Sequence, residues 1–308
     1  MFRSYSFDDI SEGLKKSLRT ADGKFVPASV SSLTVQERAL RALSYLPPLS
    51  PILNRLIASL AKADVSFAAI SELIEKDTVL AGNILKLANS ALYGRRNTIT
   101  SVRHAVSMLG VSKLRNATLG MSVARMWNQV KMPPGWSMVS FNLHSAGTAI
   151  LADLLAQKLP VDYAEGAFAA GLFHDLGWML VALSSPDEFK LASNQPGWNA
   201  AAELELFGVS HAELSAQALA AWNLPVPIQN AVRYHTNPEG DPMAEQEGIS
   251  LSRIVNVADQ CVRSMGCSIS LVESDGEIPV EAADSLSAGL AQVLPEFEAE
   301  FSSIKQFF

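Results

Sequence analysis

A histidine and an aspartate lie side by side in the apolar segment GLFHDLGWML, residues 171–180. Around His174 and Asp175 the segment contains leucine, phenylalanine, tryptophan and methionine, the residue types that fill protein cores. Transferring an ionised carboxylate from water into such a core without a partner costs several kcal/mol. We therefore expect a hydrogen-bond donor, an opposite charge or a metal ion to compensate Asp175.

Further imidazole and carboxylate groups follow in the same half of the chain, each in a different predicted helix. His144 is in SFNLHSAGTAILADLL, His211 in FGVSHAELSAQALAAW, and His235 ends IQNAVRYH. Asp259 lies in the mainly apolar segment ISLSRIVNVADQCV. A divalent cation needs at least three nitrogen or oxygen ligands that converge from elements held in place by the fold. The candidate metal ligands are His144, His174, Asp175, His211, His235 and Asp259.

Such a ligand set suits Mg²⁺, Mn²⁺, Fe or Zn²⁺, and two of the histidines could hold a second ion with Asp175 as the bridge. Two ions activate water and stabilise the departing oxygen of a phosphate ester. Spacing along the chain does not show that these side chains meet, because single helical histidines more commonly belong to the core or the surface. His104, next to Arg103, is assigned to the surface, and Asp259 alternatively accepts hydrogen bonds from a helix N-terminus or an arginine.

The elements that must position these residues are predicted to be helices almost throughout. Apolar residues recur every three or four positions in SPILNRLIASLAKA and in DTVLAGNILKLANSALYG. Residues 101–127 are predicted to form two helices separated by Gly110, and Asp77 is a candidate N-cap. Runs with the alternating pattern of β-strands are nearly absent, so we predict an all-α fold.

Breaks in the helical pattern predict the domain organisation. The most pronounced break is Pro133–Gly135, which separates two helical lobes. The tail is predicted to form two short helices that separate near Pro295. The predicted regions are a leader with a weak amphipathic helix (1–33), an N-terminal helical lobe (34–130), a helical lobe with the candidate ligands (137–265) and a C-terminal helical tail (266–308).

Composition excludes several functional classes. The chain has 308 residues, 48% of them hydrophobic, and a net charge of −7, which does not favour binding to nucleic acid or anionic lipid. Cys261 and Cys267 form neither a C-x-x-C motif nor a disulfide framework. The N-terminal residues lack the pattern of a signal peptide, and no run of about 18 uninterrupted apolar residues predicts a membrane span. We therefore expect a cytoplasmic protein without a membrane partner.

Five segments occur in an order that resembles the HDOD family, the HD-related output domain of the HD superfamily of metal-dependent phosphohydrolases. They are LPPLSPILNRLIASL, ITSVRHAVSMLG, GLFHDLGWML, FGVSHAELSAQALAAWNLP and AVRYH, and the resemblance extends over about residues 37–262. It implies a two-lobed helical fold and a role in bacterial signalling, with a signalling protein as partner. It also places all six candidate ligands on family ligand positions: a first metal on His144, His174, Asp175 and Asp259, and a second on His211 and His235.

Three features differ from the HD-GYP relatives that cleave cyclic di-GMP. Trp178 stands where their HD-x-G-K motif has a lysine, Tyr234 precedes His235 where they have two histidines, and no GYP segment follows. We therefore interpret the protein as a regulatory module whose HD site binds a metal without turnover. The alternative is a metal-dependent phosphohydrolase acting on a nucleotide or a cyclic dinucleotide. A minor alternative is a DNA-binding regulator that uses residues 99–119.

Overall fold

The computed structural model describes residues 33–60, 67–90, 92, 98–194, 200–244, 248–269 and 285–308. Within these ranges the secondary structure is helical, apart from an isolated parallel bridge between Val161 and Ile249. The predicted all-α fold is confirmed. The predicted leader lies outside the described residues except for its last residue, Leu33.

The first group of helices ends at Trp127, and local sequence signals define several of its boundaries. The Asp77 carboxylate accepts hydrogen bonds from the backbone N–H groups of Val79 and Leu80, both at 3.1 Å, and so caps one helix as predicted. Gly110, with a φ of 82°, separates two others. The helices are α1 (Val35–Ala42), α2 (Pro51–Leu60), α3 (Phe67–Glu75), α4 (Thr78–Ala88), α5 (Val102–Leu109) and α6 (Val111–Trp127).

The second group of helices contains the candidate ligands and packs around one long central helix, α7. Helices α8, α14 and α15 all pack against α7, α12 pairs with α13, and α9 packs against α12. The helices are α7 (Met138–Lys158), α8 (Ala167–Phe173), α9 (Leu176–Ser184), α10 (Pro186–Ser193), α11 (Ala200–Phe207), α12 (His211–Ala221), α13 (Val226–Tyr234), α14 (Leu251–Ser264) and α15 (Ser285–Ile304).

Helix α1 contacts the second group of helices although it belongs to the first group in sequence. It packs against α9 and α12. Arg38 donates a hydrogen bond to Ser185 Oγ at 3.0 Å and forms an ion pair with Glu188. The division of the chain into lobes at 34–130 and 137–265 stays a prediction, and α1 extends along the second of these regions.

Residues 164–184 form the most apolar part of the fold. By length and composition this segment could cross a membrane, but 94% of its most apolar window is buried inside the protein. It is also divided in the structure, because α8 ends at Phe173 and α9 begins at Leu176. His174 and Asp175 occupy the junction between these two buried helices.

The C-terminal tail differs from the sequence prediction near Pro295. Helix α15 continues through this proline, where a separation into two short helices was expected. Proline removes one backbone N–H donor and disfavours a helix interior. Val293 and Phe297, one on each side of Pro295, are both buried, and this packing holds the helix together.

Two glycines allow the helices around the His174–Asp175 junction to approach closely. A Cβ atom on Gly171 would lie 2.7 Å from the Ala149 Cα of α7. A Cβ atom on Gly177 would overlap the backbone carbonyl of His211 at the start of α12. The Gly177 N–H donates to Ser215 Oγ at 2.7 Å, and the Ser215 hydroxyl donates to the His211 carbonyl at 2.9 Å. Glycine at position 177 therefore fixes the distance between α9 and α12.

We predict that Gly177→Ala destabilises the protein by about 3 kcal/mol or more, because the added methyl group cannot fit beside a backbone carbonyl. Gly82→Ala is the control, since a Cβ atom at this position in α4 meets nothing within 4 Å. Removing a glycine from a helix should stabilise the protein by about 0.5–1 kcal/mol. Urea denaturation measures both effects, and equal stability of the two variants would contradict the prediction.

A second prediction concerns Asp153 of α7, near Glu300 of α15. Burial, followed by the charge of Glu300, raises the pKa of Asp153 from 3.8 to about 6. Between these values the folded chain retains a proton that the unfolded chain has lost, so the free energy of unfolding falls as the pH rises through this window. Asp153→Asn should therefore gain stability over the wild type by about 2 kcal/mol between pH 4 and pH 7. A pH-independent difference in urea denaturation would contradict this.

Candidate metal centre

The structure brings all six predicted ligands together in the second group of helices. His144 comes from α7, His174 and Asp175 from the α8–α9 junction, and Asp259 from α14. The other two are His211, the first residue of α12, and His235, which follows the last residue of α13. Each of the six residues is at most 5% exposed. Asp175 is therefore buried among four imidazoles and a second carboxylate.

Four of these residues form one compact group of ligand atoms. The Nε2 atom of His144 lies 3.1 Å from His174 Nε2, 3.2 Å from Asp175 Oδ2 and 3.1 Å from Asp259 Oδ1. The Nε2 atom of His174 lies 3.3 Å from Asp175 Oδ2 and 3.5 Å from Asp259 Oδ1. All four ligand atoms lie within 4.8 Å of one another. We call these four residues the first group of ligands.

A second group shares Asp175 with the first but uses its other oxygen. Asp175 Oδ1 lies 3.2 Å from His211 Nε2 and 3.7 Å from His235 Nε2. These two imidazole nitrogens are 3.3 Å apart. Asp175 thus bridges the two groups, with Oδ2 facing His144 and His174 and Oδ1 facing His211 and His235.

The side chain of Asp175 is not used in the local backbone structure. The residue occupies the N-cap position of α9, where an aspartate commonly accepts a hydrogen bond from a backbone N–H. Here its side chain makes no such capping bond. Among the described residues, neither carboxylate oxygen has a hydrogen-bond donor, although Asp175 is only 1% exposed. Buried acceptors without donors are costly, so these two atoms are free to bind a cation.

The tautomer of each histidine follows from the partner of its Nδ1 atom. A carbonyl oxygen can only accept, so Nδ1 carries the hydrogen and donates to Cys267 O from His144 (2.9 Å), to Gly171 O from His174 (2.7 Å) and to Val232 O from His235 (2.7 Å). In a neutral imidazole the Nε2 atom then presents a lone pair. This arrangement of a ring N–H bound to a carbonyl, with the other nitrogen free, is common in metal-ligating histidines.

Lone pairs and carboxylate oxygens therefore converge on two small regions. The Nε2 atoms of His144 and His174 are 3.1 Å apart, with no hydrogen between them in these tautomers. Facing lone pairs and nearby carboxylates repel one another unless a positive charge lies between them. A divalent cation with nitrogen and oxygen ligands fits both groups, with four ligand residues in the first and three in the second.

The pKa values in the metal-free chain reflect the same demand for positive charge. Burial disfavours the charged form of His174, but Asp175 and Asp259 outweigh this effect and raise its pKa to about 10. Burial also disfavours the charged form of His211, and Glu203 and Asp175 raise its pKa to about 9. Burial disfavours ionised Asp175, yet the histidines hold the pKa of its carboxyl well below the ordinary range.

Sequence analysis did not identify Glu203, which lies directly behind His211. Its carboxylate accepts hydrogen bonds from His211 Nδ1, at 2.9 and 2.8 Å, and from the His211 backbone N–H at 2.8 Å. Glu203 is 3% exposed. A carboxylate in this position orients the imidazole and strengthens it as a ligand. Glu203 is eight residues before His211, on α11, and no sequence motif connects the two.

Arg263 was also missed, although its spacing on α14 was a usable signal. It lies four residues after Asp259, one helical turn away, and its Nε atom donates to Asp259 Oδ1 at 2.7 Å. The expectation that Asp259 pairs with an arginine is therefore compatible with its place among the ligand candidates. Trp178, which replaces the lysine of HD-GYP relatives, stacks on His211 with ring centroids 4.9 Å apart.

The remaining sequence candidates lie away from this centre. His104 on α5 is exposed, as expected for a surface residue. Helix α6, the second helix of the DNA-binding alternative, is buried along most of its length and packs against α2, α4 and α5. A recognition helix needs an exposed face that enters the major groove, so this placement does not favour the DNA-binding alternative.

Comparison with known proteins gives a family and one distant relative. The HDOD domain family matches residues 46–238. Five of the six candidate ligands fall in this range, and Asp259 lies beyond it. An uncharacterised protein of Treponema pallidum (strain Nichols) is 25% identical over 282 residues, which cover 85% of this chain and 50% of that protein. The chain thus spans about half the length of this relative.

Solved structures share the fold. An HDOD domain protein of unknown function from Geobacter sulfurreducens aligns with a TM-score of 0.71 and 22% identity, covering 91% of this chain and 99% of that one. A Shewanella amazonensis SB2B protein named as a candidate phosphohydrolase aligns with a TM-score of 0.65 and 21% identity, over 88% and 97% of the two chains. A candidate signal transduction protein from Marinobacter aquaeolei VT8 gives a TM-score of 0.66 and 20% identity, over 96% and 65%. The family match extends over more than half of the chain, and the protein therefore belongs to the HDOD family.

Proposed function

We propose that this protein is a regulatory module of bacterial signalling whose second lobe binds one or two divalent cations without turning over a substrate. One observation carries the proposal: four histidine Nε2 atoms and two carboxylates converge in the core, and every histidine Nδ1 already has a partner. A protein core does not collect this much uncompensated negative charge unless a cation or protons balance it. In this proposal a protein partner in the cytoplasm receives the signal.

The ligand atoms limit the identity of the cation. Imidazole nitrogens favour Zn²⁺ and Fe, and carboxylate oxygens favour Mn²⁺ and Mg²⁺. The first group offers two imidazoles and two carboxylates, from His144, His174, Asp175 and Asp259. The second group offers two imidazoles and the remaining oxygen of Asp175. This mixture suits Mn²⁺, Fe or Zn²⁺ better than Mg²⁺, whose preferred ligands are oxygens alone.

Two features support binding without turnover. A catalytic metal site keeps a coordination position open to substrate. Here all six residues are at most 5% exposed, and Trp178 is 2% exposed, so the ligand atoms are closed off from solvent. Trp178, which stacks on His211, stands at the motif position where HD-GYP relatives have a lysine, and an indole supplies no charge for a phosphate group.

A metal-dependent phosphohydrolase is the second candidate, and the bridging position of Asp175 favours it. A carboxylate shared by two ligand groups is suited to hold two ions close together. Two bound ions would polarise a phosphate ester and lower the pKa of water. His144, His174, Asp175 and Asp259 would hold the first ion, and His211, His235 and Asp175 the second.

We predict that protein purified without chelators binds at least about one Mn²⁺ per chain, and that Asp175→Asn weakens this binding by at least about tenfold because both groups lose a charge. Titration calorimetry and elemental analysis measure affinity and content. His104→Asn is the control, since His104 is exposed and remote from the centre. Absence of bound metal in the wild type, or equal losses in the two variants, would contradict the proposal.

We further predict that Mn²⁺-loaded protein hydrolyses nucleotides and cyclic di-GMP no faster than the Asp175→Asn variant does. The ligand residues are at most 5% exposed and Trp178 carries no charge that could align a phosphate ester, so a bound phosphate group is not positioned for attack by water. Product analysis by chromatography after long incubation provides the measurement. Hydrolysis that requires both the metal and Asp175 would establish the phosphohydrolase alternative in place of the regulatory module.

A further inference from the structure

Arg263 is more exposed than the charged side chains that it contacts in the candidate metal centre. Its Nε atom lies 2.7 Å from Asp259 Oδ1 and its Nη2 atom 3.5 Å from Asp175 Oδ2. The Arg263 side chain is 17% exposed, compared with 7% for the Asp259 side chain and 1% for that of Asp175. A ligand that approaches the centre from the side of Arg263 therefore meets the guanidinium group first.

The contact between Arg263 and Asp259 competes with metal binding. Asp259 Oδ1 is the oxygen that faces His144 Nε2 at 3.1 Å and His174 Nε2 at 3.5 Å, so it is the oxygen available to a cation in the first group. The same atom accepts the hydrogen bond from Arg263 Nε. A bound cation and the guanidinium group repel each other and compete for this oxygen. Metal binding would therefore weaken the hydrogen-bonded ion pair between Arg263 and Asp259.

A guanidinium group released beside a divalent cation requires an anion. Arginine stays charged under all ordinary conditions, and a largely buried guanidinium group without a partner is costly. With neutral histidines, Asp175, Asp259 and Glu203 contribute three negative charges and Arg263 one positive charge. Two divalent cations change this balance to a net charge of about +2, which a phosphate dianion neutralises. The planar fork of arginine also matches the oxygens of phosphate.

From these contacts we propose that Arg263 is the anion-binding residue of the centre and that it holds the phosphate group of a phosphate-bearing ligand when the metal is bound. This inference rests on the proposed metal site. In this proposal Arg263 on α14 supplies the positive charge for phosphate, because position 178 on α9 has a tryptophan and no lysine. Arg263 also lies outside the residues 46–238 that the family match covers. Bound phosphate is the signal that the module detects, and turnover is not required.

Two titrations test the role of Arg263. Calorimetry first measures Mn²⁺ binding to the metal-free protein and then inorganic phosphate binding to the Mn²⁺-loaded protein. Arg263→Met should bind Mn²⁺ at least as tightly as the wild type, because the competing charge is gone, and should lose at least about tenfold in phosphate affinity. The phosphate affinity of Arg263→Lys should lie between those of the wild type and Arg263→Met, since lysine keeps the positive charge but not the planar guanidinium fork. Arg253→Met is the control, because Arg253 lies on the same helix, pairs with Glu239 and has a side chain that is 41% exposed.

The outcomes separate the two proposals. Mn²⁺ binding with no phosphate binding, or with equal phosphate affinity in the wild type and Arg263→Met, overturns the role of Arg263 and leaves the metal site intact. Absence of Mn²⁺ binding in the wild type overturns both. If Arg263→Met does not fold by circular dichroism, Arg263→Lys decides: a loss of phosphate affinity with unchanged Mn²⁺ affinity supports the assignment, and unchanged phosphate affinity overturns it.

Discussion

The buried carboxylate of Asp175 is the constraint on which the rest of the second group of helices depends. It lies between two apolar helices and is 1% exposed, and neither of its oxygens has a hydrogen-bond donor in the part of the chain that the structure describes. The surrounding structure compensates this charge with groups that attract or share cations, namely four imidazoles and the guanidinium group of Arg263. The apolar helices on both sides exclude water, and so they strengthen every electrostatic interaction of this residue.

The helices hold the centre through backbone contacts as much as through side chains. Carbonyl groups fix three of the four imidazoles, and Glu203 fixes the fourth. The close approach of α9 and α12 at Gly177 sets the position of His211. Since these contacts involve backbone atoms, the orientation of the Nε2 atoms is determined by the fold itself. The ligand atoms are consequently arranged before any ion arrives, which is the condition for tight and selective binding.

Sequence patterns predicted the helical fold and the ligand candidates because both depend on local spacing and residue type. The cap at Asp77 and the separation at Gly110 are local signals that the structure confirms. Helix α15 was predicted wrongly because tertiary packing around Pro295 outweighs a local preference. Glu203 could not be predicted, since only the packing of α11 brings it behind His211. The packing of α1 on α9 and α12 is likewise a tertiary contact that local patterns do not contain.

The division of one carboxylate between two groups of imidazoles has a thermodynamic consequence. A cation bound at Oδ2 of Asp175 draws electron density from Oδ1, and it repels a second cation across the same side chain. Occupancy of either half lowers the affinity of the other, and linkage makes this antagonism equal in both directions. With cations in both ligand groups, as proposed above, the two groups would fill in two steps at separate concentrations, and the response to rising cation levels would be graded across a wide range.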